Sequence, residues 1–221
     1  MAVLMVALVL QPLSHGLVDG IILFDVLFFL ILLAVFLNVF KRGWQRRVGL
    51  PLGVLIIATN IVALVATGDV QTIAAIIFHA LFTVFLAFAV GVILEGIFSN
   101  QVISFDHVIG SVCGFMLTGI AWGNLYLLVT FVTPDAFVIA PEMTPQLAEP
   151  NTRRFLFNYF SFITLTTVGY GDIRPVSPAA CTLSWFEAMF GQFYMAVIVG
   201  QLVGLRLAAV KPVETNNTDG R

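Results

Sequence analysis

Apolar residues run in long blocks along the chain, and short polar stretches separate them. A helix of about 20 apolar residues crosses a hydrocarbon layer ~30 Å thick. Residues 20–40 form one such block, interrupted by Asp25, and 48–66, 73–98, 108–132 and 180–209 form four more. The separators are the basic run Lys41–Arg47, the turn Thr67–Thr72, the link Asn100–His107, and residues 133–152, with prolines at 134, 141, 145 and 150. Pro51 falls in the first turn of its block, where a helix tolerates it. Residues 1–13 are apolar but short, and they lack the basic start and small-residue cleavage site of a secretory signal. They read as a short first span in preference to an interfacial helix. Residues 155–166 are apolar over about 12 positions, too few to cross.

Composition gives the blocks their meaning. The chain has 221 residues, 60% hydrophobic and only 10% charged, with a mean hydropathy of +1.03. A soluble domain needs more charge to cover its surface. The fold class is therefore an all-α membrane protein of six transmembrane helices, or five if residues 1–14 stay out of the bilayer, with one short re-entrant helix between the last two spans. Four of the ten Lys and Arg crowd into Lys41–Arg47, and the positive-inside rule makes that loop cytoplasmic. Alternation then puts 67–72 outside, 99–107 inside and 133–152 outside. The polar tail 211–221 lies inside, in a multi-pass protein of the cell (inner) membrane. Cys113 and Cys181 both fall in apolar segments, where buried thiols are common, so no disulfide framework is expected. The lipid bilayer is the expected surrounding, no catalytic constellation is evident, and neither nucleic acid nor a soluble partner is expected.

The candidate chemistry sits after the short helix, in Thr164-Leu-Thr-Thr-Val-Gly-Tyr-Gly-Asp172. To pass a dehydrated cation, a pore must replace the water shell with oxygens at similar distance, and backbone carbonyls do this if they all face one axis. That requires backbone of alternating hand, which glycine adopts most cheaply, hence Gly169 and Gly171. From Thr166 to Asp172 the run resembles the selectivity-filter signature of the potassium-channel pore-domain family. The wider stretches Phe160–Pro178 and Gly191–Gly204 are similar to bacterial ion-channel and two-pore-type family proteins.

The resemblance covers residues 108–210 and implies an outer helix 108–132, a pore helix 153–166, a filter 167–171 and an inner helix 180–209. Residues 1–107 carry N-terminal helices without a family motif. It implies that K+ is held by the carbonyls of Thr167, Val168, Gly169 and Tyr170 and by the Thr167 hydroxyl, with Gly171 and Asp172 in support. It also implies a homotetramer, because one chain supplies one carbonyl per ring. Tyr159 and Phe160 stand where the family has paired bulky aromatics around the filter. Val168 and Tyr170 would turn away from the axis and pack against the pore helix. Ile163 stands where some relatives carry a Glu, which removes one partner for Asp172.

The pore helix is expected to start near Asn151 or Thr152, either of which can cap it, and its C-terminal dipole end favours a cation. Arg153 and Arg154 are expected to pair with Glu149 or Glu142. Gly191, 19 residues past Asp172, is a hinge by resemblance or a packing glycine. Gln192, Ala196, Val199 and Val203 share one helical stripe and are candidates for cavity and gate lining. Gly200 and Gly204 form a small-xxx-small contact pattern. Glu187 is turned about 140° from that stripe and is expected to bond to the pore helix or outer helix. Asp25, Asn60 and His79 map to the outer half of the bilayer, as polar links between helices or as a proton-sensitive cluster. Trp122, Asn124 and Tyr126 read as interfacial anchors. Residues 73–98 contain no Lys or Arg, so they lack the repeated charges of a voltage sensor. The expected function is a potassium-selective channel that is not strongly voltage-gated. The alternatives are a less selective cation channel, or a membrane signalling or scaffold protein with a vestigial pore.

Overall fold

The computed structural model describes residues 30–99 other than 31 and 38, 105–143, and 150–209. The expected span 1–13, Asp25, Glu149 and the tail 211–221 lie outside the described residues. Helices α1 (Gly43–Val65), α2 (Asp69–Ser99), α3 (Phe105–Val132), α4 (Pro150–Leu165) and α5 (Pro178–Ala209) make up the bulk, with two short strands, β1 (Phe137–Ile139) and β2 (Ile173–Pro175). Among the described residues, four helices are long and apolar enough to cross a membrane: Gly43–Val65, Asp69–Ile97, Val108–Val132 and Pro178–Gln201. The sixteen-residue α4 is not one of them.

Helix α1 begins five residues before the expected 48, so Arg46 and Arg47 lie in its first turns rather than in a loop. Local polar bonding explains the early start. The Gln45 side chain accepts from the Arg42 N–H at 3.0 Å, half of a capping box, and Arg46 Nε donates to the Phe40 carbonyl at 2.9 Å. Pro150 opens α4, where its fixed φ suits a first helical residue and its missing N–H costs nothing. Asn151 and Thr152 therefore sit inside the first turn instead of capping it.

In lipid, apolar area alone does not drive helices together, so close fit and polar contacts decide the packing. Phe40 meets Phe85 and Phe88, and Trp44 meets Phe88, which holds the start of α1 beside the second half of α2. The Arg42–Glu95 ion pair closes the same end at 2.5 Å. His79 Nδ1 lies 2.9 Å from Asn124 Oδ1, which fixes α2 antiparallel to α3. One core cluster fills the space among residues 32–40, α1, α2 and the first half of α3. A second, built on Tyr126, Leu127, Leu156, Phe157, Phe160, Ile163 and Ile173, joins the second half of α3 to α4 and β2. Helix α5 buries Glu187, Gly191, Tyr194 and Ile198, a spacing of four, three and four that makes one helical stripe. Tyr194 donates to the Ser111 carbonyl of α3 at 2.7 Å and Gln201 Nε2 to the Ile97 carbonyl of α2 at 3.1 Å, so the second half of α5 is held to both helices.

Candidate functional site

The loop 166–172 hangs from the C-terminus of α4. A helix leaves its last four carbonyls unpaired, and here the loop itself caps three of them, those of Phe162, Ile163 and Thr164. Thr167 N–H donates to Thr164 O at 2.9 Å, while Val168 and Gly169 N–H donate to Ile163 O at 2.8 and 3.2 Å. Thr166 N–H returns to Phe162 O at 3.0 Å, and its hydroxyl reaches the same carbonyl at 2.6 Å. The backbone then alternates in hand: φ is +59° at Thr167, +55° at Gly169 and +81° at Gly171, with Val168 and Tyr170 between them on the ordinary side. Such alternation turns successive peptide groups the same way, as a ladder of carbonyls around an ion requires. Glycine takes this conformation freely, whereas Thr167 pays about 1–2 kcal/mol for it. The Thr167 strain is not readable from the motif's glycines alone.

Above the loop, Asp172 is fixed from three directions. Its Oδ1 accepts from Ile173 N–H at 3.0 Å, its Oδ2 from the Tyr159 hydroxyl at 2.5 Å, and its carbonyl from Ala140 N–H at 2.8 Å. The β1–β2 pairing, Phe137 with Pro175 through Ile139 with Ile173, ties the Pro-rich loop to the chain leaving the motif. Burial, and then the bonded Asp172 carboxyl, push the Tyr159 hydroxyl up to about 12, so it remains a donor through the neutral range. Tyr159, not residue 163, thus supplies a side-chain partner for Asp172. The sequence offers both residues, but their thirteen-residue separation gives no sign of the bond.

The neighbouring aromatic goes elsewhere. Phe160 is buried between Tyr126 and Phe137, ring centroids 5.0 and 5.5 Å away, inside the second core cluster. Val168 and Tyr170, expected to pack on the pore helix, are 52% and 72% exposed in the single chain. A lone chain has no surface there to cover them.

On the other side of the loop, helix α5 comes close. A Cβ placed on Gly191 would lie 2.0 Å from the Leu165 carbonyl oxygen, so the absence of a side chain lets α5 touch the end of α4. Helix α5 continues unbroken from Pro178 to Ala209, so packing, not bending, is what Gly191 provides in this state. Gln192 Nε2 donates to Thr167 Oγ1 at 3.2 Å. Gln192, Ala196, Val199 and Val203 are all exposed, on the face opposite the buried stripe. Around Gly200 and Gly204 nothing comes within 4 Å of a built Cβ, so their contact pattern meets no partner among the described residues.

Glu187 is fully buried and bonds to both candidate helices: Tyr126 of α3 donates to Oε2 and Ser161 of α4 lies against Oε1, each at 2.5 Å. Tyr126 is therefore an interior residue, not an interfacial anchor, because its hydroxyl finds this carboxyl group. Asn124 likewise turns inward to His79 and donates to its own Ile120 carbonyl at 2.9 Å. Asn60 is buried apart from that pair, and its Nδ2 has no hydrogen-bond partner among the described residues. The Arg154 guanidinium lies over the Phe78 ring, 5.7 Å from its centroid.

Comparison with known proteins points to the same segment of the chain. Residues 125–205 match the family described as "Ion channel", a span that holds the end of α3, the loop, α4, the motif and most of α5. A stretch of 71 residues is 38% identical to "Potassium channel K1" of Plasmodium berghei (strain Anka), covering 32% of this chain and 4% of that protein. No solved structure matches. Residues 125–205, with Thr166–Asp172 near their centre, are thus similar to an ion-channel family, and part of the chain is similar to a short stretch of a potassium channel.

Proposed function

We propose that this chain forms a K+-selective pore in which four copies surround one axis and each contributes its Thr166–Asp172 loop. The observation that carries the reading is the alternating backbone at Thr167, Gly169 and Gly171, suspended between the end of α4 and the anchored Asp172. The permeant K+ would exchange its water shell for the carbonyls of Thr167, Val168, Gly169 and Tyr170 and for the Thr167 hydroxyl. Gln192, bonded to that hydroxyl, would orient it from the cavity side. The C-terminal end of α4, carrying a partial negative charge, lies beneath the loop and favours a cation there. Exposed Val168 and Tyr170 supply apolar surface that neighbouring copies would cover. With Lys41–Arg47 on the cytoplasmic side of a cell (inner) membrane, the filter opens outward and the C-terminus lies inside. Passive permeation needs no enzyme chemistry.

The test is K+ flux into vesicles containing the purified full-length chain, with Na+ as the competing ion, compared with Gly169→Ala. Alanine is strained at φ +55°, so the substitution should abolish selective flux. Equal K+ and Na+ flux in the parent chain, or undiminished K+ flux in the variant, defeats the reading.

A further inference from the structure

Glu187 sits where α3, α4 and α5 meet, and its surroundings fix where its proton must be. The contacts are Tyr126 hydroxyl to Oε2 at 2.5 Å, Ser161 Oγ to Oε1 at 2.5 Å, and Ser161 Oγ to the Gly119 carbonyl oxygen at 2.7 Å. A hydroxyl carries one proton and a carbonyl oxygen carries none. Tyr126 spends its proton on Oε2. If Glu187 were a carboxylate, Ser161 would face two acceptors with one proton, and one contact would set two bare lone pairs against each other. A proton on Oε1 removes the conflict: Oε1–H donates to Ser161 Oγ, and Ser161 Oγ–H donates to Gly119 O. Every contact then has its proton.

The electrostatics point the same way. A carboxylate without solvent or a cation is costly in an apolar interior. Among the described residues no Lys, Arg or His makes an ion pair with Glu187. The titratable group that faces it is Tyr126 from α3, already committed as a donor, while α4 offers only the Ser161 hydroxyl.

We propose that Glu187 works as a neutral carboxylic acid, a positioning residue whose proton locks the inner helix to the pore helix and outer helix at once. Ser161 lies two residues before Ile163, whose carbonyl holds Val168 and Gly169 N–H. The lock therefore sets the seat from which the filter hangs, and in this role it rests on the reading of that loop as a K+ filter. The consequence is a requirement for a donor at position 187, not for a negative charge.

The experiment uses the full-length chain in vesicles of phosphatidylethanolamine and phosphatidylglycerol at neutral pH. The infrared difference between the parent and Glu187→Gln should show the carbonyl stretch of a protonated carboxylic acid, shifted in heavy water and missing from the variant. A glutamine amide can donate to Ser161 and accept from Tyr126, so Glu187→Gln should keep K+ flux within about twofold of the parent. Glu187→Ala and Ser161→Ala leave buried partners unmatched and should lose about tenfold or more. A carboxylate band in place of the acid band overturns the proposal, as does Glu187→Gln conducting no better than Glu187→Ala. If the parent passes no K+, the channel reading fails, while the infrared band still decides the state of Glu187. If the alanine variants fail to assemble, the band and the glutamine variant decide.

Discussion

At residue scale, small groups do most of the positioning. Tyr159→Phe keeps the ring and removes only the hydroxyl that holds Asp172 Oδ2. A hydrogen bond to a charged group contributes about 1.5–3 kcal/mol, so sustained K+ flux should fall by roughly tenfold or more with only a small change in thermal stability. Flux recordings on the variant that match the parent would remove Tyr159 from the filter's support. Gly191→Ala should act on helix packing instead, because the new methyl meets the Leu165 backbone at 2.0 Å and neither helix backbone can flex like a side chain. Overpacking of this kind costs typically about 1–3 kcal/mol. Thermal unfolding in detergent should read that loss, and an unchanged midpoint would show that α5 need not touch α4. The glycines and the motif were legible in the sequence because backbone geometry restricts those positions to few residue types. The partners of Asp172 and Glu187 were not. They come from 13, 26 and 61 residues away, and only the register of three packed helices brings them together.

Element boundaries followed block length closely where the interior is uniformly apolar, as in α2, α3 and α5, since lipid-spanning length and hydropathy set them. They departed where polar residues decide. Gln45 and Arg46 draw α1 back into the basic cluster, and Pro150 starts α4 earlier than a cap at Asn151 or Thr152 would. Helix α2 has a consequence of its own. It carries no Lys or Arg between residues 73 and 98, and its interior histidine is bonded to Asn124 in α3. Moving one elementary charge through the membrane field yields about 2.3 kcal/mol per 100 mV, so steep gating needs several such charges. Conductance–voltage curves from bilayer recordings should therefore give a slope of about one gating charge or fewer per chain. A steep, multi-charge curve would mean that other charges, outside α2, move through the field. The Arg42–Glu95 pair at the far end of α2 is half-exposed on both sides. Glu95→Gln should change stability by about 1 kcal/mol or less, measured by thermal unfolding.

For the whole molecule, the single chain leaves apolar side chains of the loop and of α5 uncovered. Tyr170 and Val168 of the loop and Phe193, Val199 and Val203 of α5 are exposed together, while the opposite stripe of α5 is buried on α3 and α4. Lipid could cover the apolar part of α5, but it cannot complete a ring of carbonyls, which needs one loop from each of several copies. Assembly and permeation should consequently stand or fall together, and mixing subunits tests that link directly. Chains carrying Gly169→Ala fold the same helices but hold a strained loop at φ +55°. Co-assembled with an equal amount of the parent, and if one defective loop closes the shared filter, they should leave roughly one-sixteenth of the flux, the fraction of tetramers with four intact loops. A pore made by each chain alone would leave about one half, and a dimer about one quarter. The residual flux therefore counts the copies around the axis, and a value near one half would show that the exposed face serves some purpose other than completing the filter.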